Sequence, residues 1–187
     1  MDLPWGDEKS KKFVTNVGLV TSNGPHGQNI MACEWTHHVS YSPGMIAICI
    51  KKDSTTNENI KSSKEFGVNL AAYDQNVLSS VAGTTSGKEI NKFAALQELG
   101  FKFYNAKKIK TMMVEGAALN VECKLVNSVE LSQHTMFIGE VVEVSMSSKE
   151  PLAFHGGKYW KLTESIPKPS QEELDRINKI LEKHKKK

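Results

Sequence analysis

The sequence predicts a mainly β domain: an antiparallel barrel with helices on its flanks and a further helix at the C-terminus. Three observations lead there. Short apolar, β-branched runs follow one another with only brief turns between them, and few helical stretches intervene. Leu119, Val121, Cys123 and Leu125 alternate with Asn120, Glu122 and Lys124, which is the period of a half-buried strand. A doubly wound sheet would need a helix after nearly every strand, and this chain does not supply them.

In chain order, residues 13–21 read as a strand that ends in the turn at 22–27, where Gly24, Pro25 and Gly27 cluster. Strands follow at 29–35, 45–51 and 66–70. Thr56 is the expected N-cap of a short helix over 57–65. Residues 74–82 and 89–99 read as helices separated by Gly83-Thr84-Thr85-Ser86-Gly87. The alternating strand at 119–125 precedes a long partner at 134–146, and 157–162 adds another. Unbroken alternation would place Glu140 with Met136 and Ile138, so either a bulge at Gly139 that turns the carboxylate outward or a structural pairing is expected there, rather than catalysis.

After Pro167 and Pro169, Ser170 and Glu173 form a capping box. Leu174, Ile177, Ile180, Leu181 and His184 then make one apolar stripe, expected to pack on the barrel or on a second subunit. The organisation is therefore a barrel domain over 1–166 and a helix with a basic tail over 167–187.

Composition narrows the function. At 187 residues, 39% apolar and 24% charged, the chain can bury a substantial core. No apolar run approaches the roughly 20 residues of a membrane span, and Met1–Trp5 does not read as a secretory signal, so a cytoplasmic location without membrane contact is expected. Lys183, Lys185, Lys186 and Lys187 supply all of the +3 net charge, and Arg176 is the sole arginine, so nucleic acid is not an expected partner. Cys33, Cys49 and Cys123 are too scattered for a disulfide framework or a CxxC site. His37 and His38 point to opposite faces of a strand with no third ligand at diagnostic spacing, so no metal is expected.

Two segments can carry chemistry. Lys51, Lys52, Ser54, Thr55 and Thr56 stand at a helix start, where free N–H groups, hydroxyls and ammonium groups suit a phosphate. Taken alone they read more simply as an ordinary cap beside surface lysines. In Asn29-Ile30-Met31-Ala32-Cys33, the small Ala32 and Cys33 would let a flat ring approach the backbone, while Met31 and Trp35 could pack on it. An apolar core strand is again the simpler local reading.

The order of these blocks is the stronger signal. The strand ending Val20-Thr21, the 29–33 segment and Pro43 are followed by Thr56–Ile60 and Ser63–Asn69. Ser86-Gly87-Lys88 with Asn91-Lys92-Phe93 comes next, then Glu122-Cys123, His134–Val141 and Gly157-Lys158-Tyr159. This succession resembles the flavin reductase-like, FMN-binding split-barrel family across most of residues 13–162. The resemblance implies a six-stranded split barrel, a homodimer with its site at the subunit interface, and bound FMN. It implies that Asn29, Ile30, Met31, Ala32 and Cys33 line the flavin ring and ribityl chain. Lys51, Thr55 and Thr56 would hold the phosphate, with Ser86, Gly87 and Lys92 closing over it. His134 matches a family histidine near the nicotinamide, so NADH or NADPH is the implied donor and flavin reduction the implied activity. A flavoredoxin-like carrier passing electrons to an acceptor protein is the alternative, and a relative that has lost flavin binding is another. The chain departs from the pattern at Cys33, where the family often has Ser or Thr, and at Pro43-Gly44 in place of a double proline. It also lacks the usual Arg-Pro near Lys12-Phe13, and Ser132-Gln133 replaces Gly-Asp before the histidine.

Overall fold

A computed structural model describes residues 2–185. Lys186 and Lys187 of the basic tail lie outside the described residues. Seven strands make one antiparallel sheet: β2 (Gly18–Ser22), β3 (Asn29–Cys33), β4 (Thr36–Tyr41), β5 (Gly44–Lys51), β6 (Glu65–Leu70), β9 (Leu119–Glu130) and β10 (His134–Met146). Their spatial order is β3-β2-β6-β9-β10-β5-β4. The sheet curls so that its terminal strand β3 approaches β5, where the Cys33 thiol lies 3.5 Å from the Cys49 carbonyl. A second sheet joins β1 (Val14–Asn16), β11 (Leu152–His155) and β12 (Lys158–Lys161), and a small ribbon pairs β7 (Phe103–Asn105) with β8 (Met112–Val114).

Two expected strands are each divided. Residues 13–21 split at Val17, so that β1 joins the small sheet and β2 the barrel. The strand expected over 29–35 stops at Cys33, and β4, which the sequence reading did not place, begins at Thr36. His37, His38 and Val39 are exposed there, so this edge strand carries little apolar alternation to reveal it.

Barrel strands bury both faces. Leu19 and Ile30 pack with Leu78, Phe93 and Leu96 beneath α2 (Asn76–Thr84) and α3 (Lys92–Glu98). Val20, Ile48, Ile50, Phe66 and Phe137 fill the barrel interior. Gly139 serves that interior, because a Cβ there would sit 2.6 Å from the Phe66 ring. The register between β9 and β10 slips between Ile138 and Gly139, and Glu140 is exposed, as the bulge reading expected.

The helix after β5, α1 (Thr55–Ser63), is capped by Ser54 rather than by Thr56. Ser54 has an extended backbone and its hydroxyl accepts from the Asn57 N–H at 3.2 Å, which starts the helix two residues early and draws Thr56 into the buried interior. The C-terminal helix α4 (Gln171–Lys183) has the expected capping box. Its apolar stripe does not pack on this chain's own barrel, however, since every residue of α4 is exposed. No described helix is long and apolar enough to cross a membrane.

Candidate functional site

β3 is the terminal strand of its sheet and pairs only with β2. Every second residue therefore directs its N–H and C=O away from the sheet, which leaves a row of main-chain donors and acceptors for another molecule. Its side chains are committed elsewhere: Ile30 and Cys33 are buried, and Met31 and Ala32 pack against the two cores. The Cys33 thiol points inward, towards the carbonyls of Cys49 at 3.5 Å and Trp35 at 3.6 Å, and burial pushes its pKa up to about 11. The side chain at position 33 is thus committed to the interior.

The start of β3 meets the start of α1. The Asn29 amide donates to the Thr56 hydroxyl at 2.8 Å. Gly87, from the loop after α2, closes on the same point: a Cβ there would lie 2.2 Å from Asn29 Oδ1 and 3.2 Å from Thr55 Oγ1. Asn29, Thr55, Thr56 and Gly87 are therefore one cluster. Within it, Thr55 Oγ1 is buried without a hydrogen-bond partner, and so is Asn57 Oδ1 two residues onward. Orphaned buried oxygens are costly, and the Thr55 hydroxyl lies at the positive end of a nine-residue helix. The donor set therefore fits a phosphate.

A latch of ion pairs holds the loop in place. Lys88 Nζ reaches Glu58 of α1 at 2.7 Å, and His26 from the β2–β3 turn shares a hydrogen bond with the other Glu58 oxygen. The hydrogen bond from Lys88, then that from His26, lowers the Glu58 pKa. Asn59 completes the anchoring, with its amide donating to the Gly27 carbonyl at 2.8 Å. The sequence reading gave His26, Glu58, Asn59 and Lys88 no site role, because their partners stand about thirty residues away.

The remaining expected residues occupy three further places. Ser86 is exposed in the latched loop, and its hydroxyl accepts from the Lys88 N–H at 3.2 Å. Lys92 is buried, its ammonium donating to the Ala82 carbonyl at 2.9 Å, and burial lowers its pKa to about 8. Ala82 shares a core with Ala32 of β3, which sets Lys92 behind the strand edge. Lys51, by contrast, is the cross-strand partner of His134 on β10 and sits 3.4 Å from Asp53. The His134 ring lies 4.8 Å from that of Trp35, and burial, then the Lys51 charge, lowers its pKa. The imidazole is thus mainly uncharged at neutral pH.

Known proteins are similar to this chain in sequence and fold. The NADH-dependent FAD reductase of Streptomyces globisporus is 25% identical over 149 residues, which cover 79% of each chain. The native-state structure of the flavin reductase PheA2 superposes with a TM-score of 0.73 at 27% identity, covering 88% of this chain and 100% of that one. The flavoredoxin of Methanosarcina acetivorans shares the fold with a TM-score of 0.76 at 20% identity, over 91% and 96% of the two chains. Residues 10–163 match the model of the flavin reductase like domain, and the chain belongs to that family.

Proposed function

We propose that this protein is an NAD(P)H-dependent flavin reductase that works through FMN. The observation that carries the reading is the unpartnered, buried Thr55 hydroxyl at the start of α1, beneath Gly87 and beside the single-sided strand β3. Bound FMN supplies the hydride chemistry, so the chain needs no general base of its own. The main chain of residues 29–33 positions the ring along the strand edge. Thr55, Thr56 and the first N–H groups of α1 hold the phosphate, Lys51 adds positive charge, Ser86 and Gly87 close the site, and Lys92 supports it from behind through the Ala82 carbonyl. His134 faces the nicotinamide as a neutral hydrogen-bonding ring.

Residues 1–166 carry this site, and 167–187 serve association of two copies. Leu174, Ile177, Leu181 and His184 recur at the three-and-four spacing of a helix seam. An antiparallel pair of α4 helices also sets Glu172, Glu173 and Asp175 against Lys183 and Lys185 of the other copy, whereas a parallel pair would set like charges together.

The test compares ligands with and without the phosphate. Thr55→Ala should weaken FMN about tenfold by removing one charge-assisted hydrogen bond, and Lys51→Ala with Thr56→Ala should weaken it further. Riboflavin affinity should barely change. Equal losses for both ligands would remove the phosphate site. Mixing FMN-loaded protein with NADH or NADPH without oxygen then checks the activity: rapid bleaching supports the reductase, and a flavin that stays yellow supports an electron carrier instead.

A further inference from the structure

Gln28 stands between the β2–β3 turn and Asn29, the first residue of β3. Its side chain reaches across to the β7–β8 ribbon. The Gln28 Oε1 atom accepts from the Thr111 hydroxyl at 3.0 Å and from the Met112 N–H at 3.1 Å, while the amide donates to the Lys110 carbonyl at 3.4 Å. Bonds to three successive residues make this one side chain a bridge from the start of β3 to the start of β8.

The end of the ribbon that Gln28 grips is itself firmly held. Glu122 of β9 is buried, and its carboxylate accepts from the N–H groups of Lys107 at 2.9 Å, Lys108 at 2.6 Å and Ile109 at 3.2 Å. Glu65 of β6, also buried, accepts from the Lys110 N–H. Hydrogen bonds to an ionised carboxylate are about twice as strong as neutral ones. Farther along, Asn69 Oδ1 of β6 accepts from the Val114 N–H at 2.9 Å. The ribbon is therefore fixed to the middle of the barrel sheet.

The strand on the other side of the bridge needs such support. β3 pairs with β2 alone, and it follows a turn in which Gly27 has a φ of 71°. Glycine there leaves the approach to the strand loosely specified. Two consecutive side chains fix it: Asn29 fastens the strand to α1 through Thr56, and Gln28 fastens it to the ribbon.

We propose that Gln28 is a positioning residue for the flavin ring. By tying the start of β3 to the ribbon, it sets where the main chain of residues 29–33 presents its free edge. The inference rests on the FMN reading above, and it assigns Gln28 to the ring rather than to the phosphate.

The test titrates the flavin-free full chain with FMN and with riboflavin. Gln28→Leu removes all three bonds and should weaken both flavins alike, about fivefold, unlike Thr55→Ala, which spares riboflavin. Gln28→Glu keeps an accepting oxygen and should restore most of the riboflavin affinity. Without flavin, amides of residues 29–33 should exchange faster in Gln28→Leu and as in the unaltered chain in Gln28→Glu. Position 28 is exposed, so both variants are expected to fold, and circular dichroism checks this. Unchanged riboflavin affinity in Gln28→Leu, a loss confined to FMN, or no rescue by Gln28→Glu would overturn the role and leave the FMN reading standing. An unaltered chain that binds neither flavin overturns the FMN reading itself, and this role falls with it.

Discussion

Lys92 is the residue at which stability and function pull apart. Its folded pKa is about 8 against 10.5 for an unhindered lysine. Between these values the unfolded chain holds a proton that the folded chain has released, so stability rises as pH climbs from about 8 to about 10.5. Below that window the buried ammonium counts against the fold. Lys92→Met should therefore flatten the alkaline rise in thermal-melting profiles of the flavin-free protein and raise its Tm at neutral pH by a few degrees. The same change should diminish the extra stabilisation that FMN gives, the usual trade at a functional position. An unchanged pH profile would show that Lys92 is better solvated than its surroundings indicate. Much of this residue-level picture was legible beforehand. Asn29, Thr55 and Gly87 stood in short, ordered blocks, and the structure brings them together. The cap was misplaced because Ser54 and Thr56 are both cap formers two residues apart, and the extended backbone at Ser54 decides between them.

Among the elements, the loop between α2 and α3 depends on contacts made at long range. Glu58→Gln removes the charge that both Lys88 and His26 use, so amides of residues 84–91 should exchange with solvent about two- to fivefold faster, as for an exposed ion pair. FMN affinity should fall with them, and unaltered exchange would show that Gly87 packing alone holds the loop. The helix α4 makes a second case. A helix of 13 residues is marginal in water without a packing partner. A chain ending after Pro169 should show a lower mass by light scattering or a monomer–dimer equilibrium shifted towards monomer. Unchanged mass and melting temperature would assign association to the barrel. The existence of α4 was readable from its capping box, yet its lack of contact with the barrel was not, because an apolar stripe does not name what covers it.

At the scale of the whole molecule, periodicity located the long strands while topology escaped it. The partner strand at 134–146 appears within the bounds its sequence implied. By contrast, β1 and β2 share one apolar run and enter different sheets, a division that depends on partners more than 130 residues away, such as Phe154 opposite Thr15. No local pattern encodes such a pairing. The edge strand β4 was invisible for the opposite reason, since its exposed histidines and tyrosine resemble a loop.

One consequence of the one-sided pairing of β3 reaches beyond catalysis. A strand with unpaired outer amides can accept another polypeptide, and on the proposed reading FMN is what covers this one. Preparations depleted of FMN should therefore cloud on storage as molecules join along this border, and adding FMN back should keep them clear.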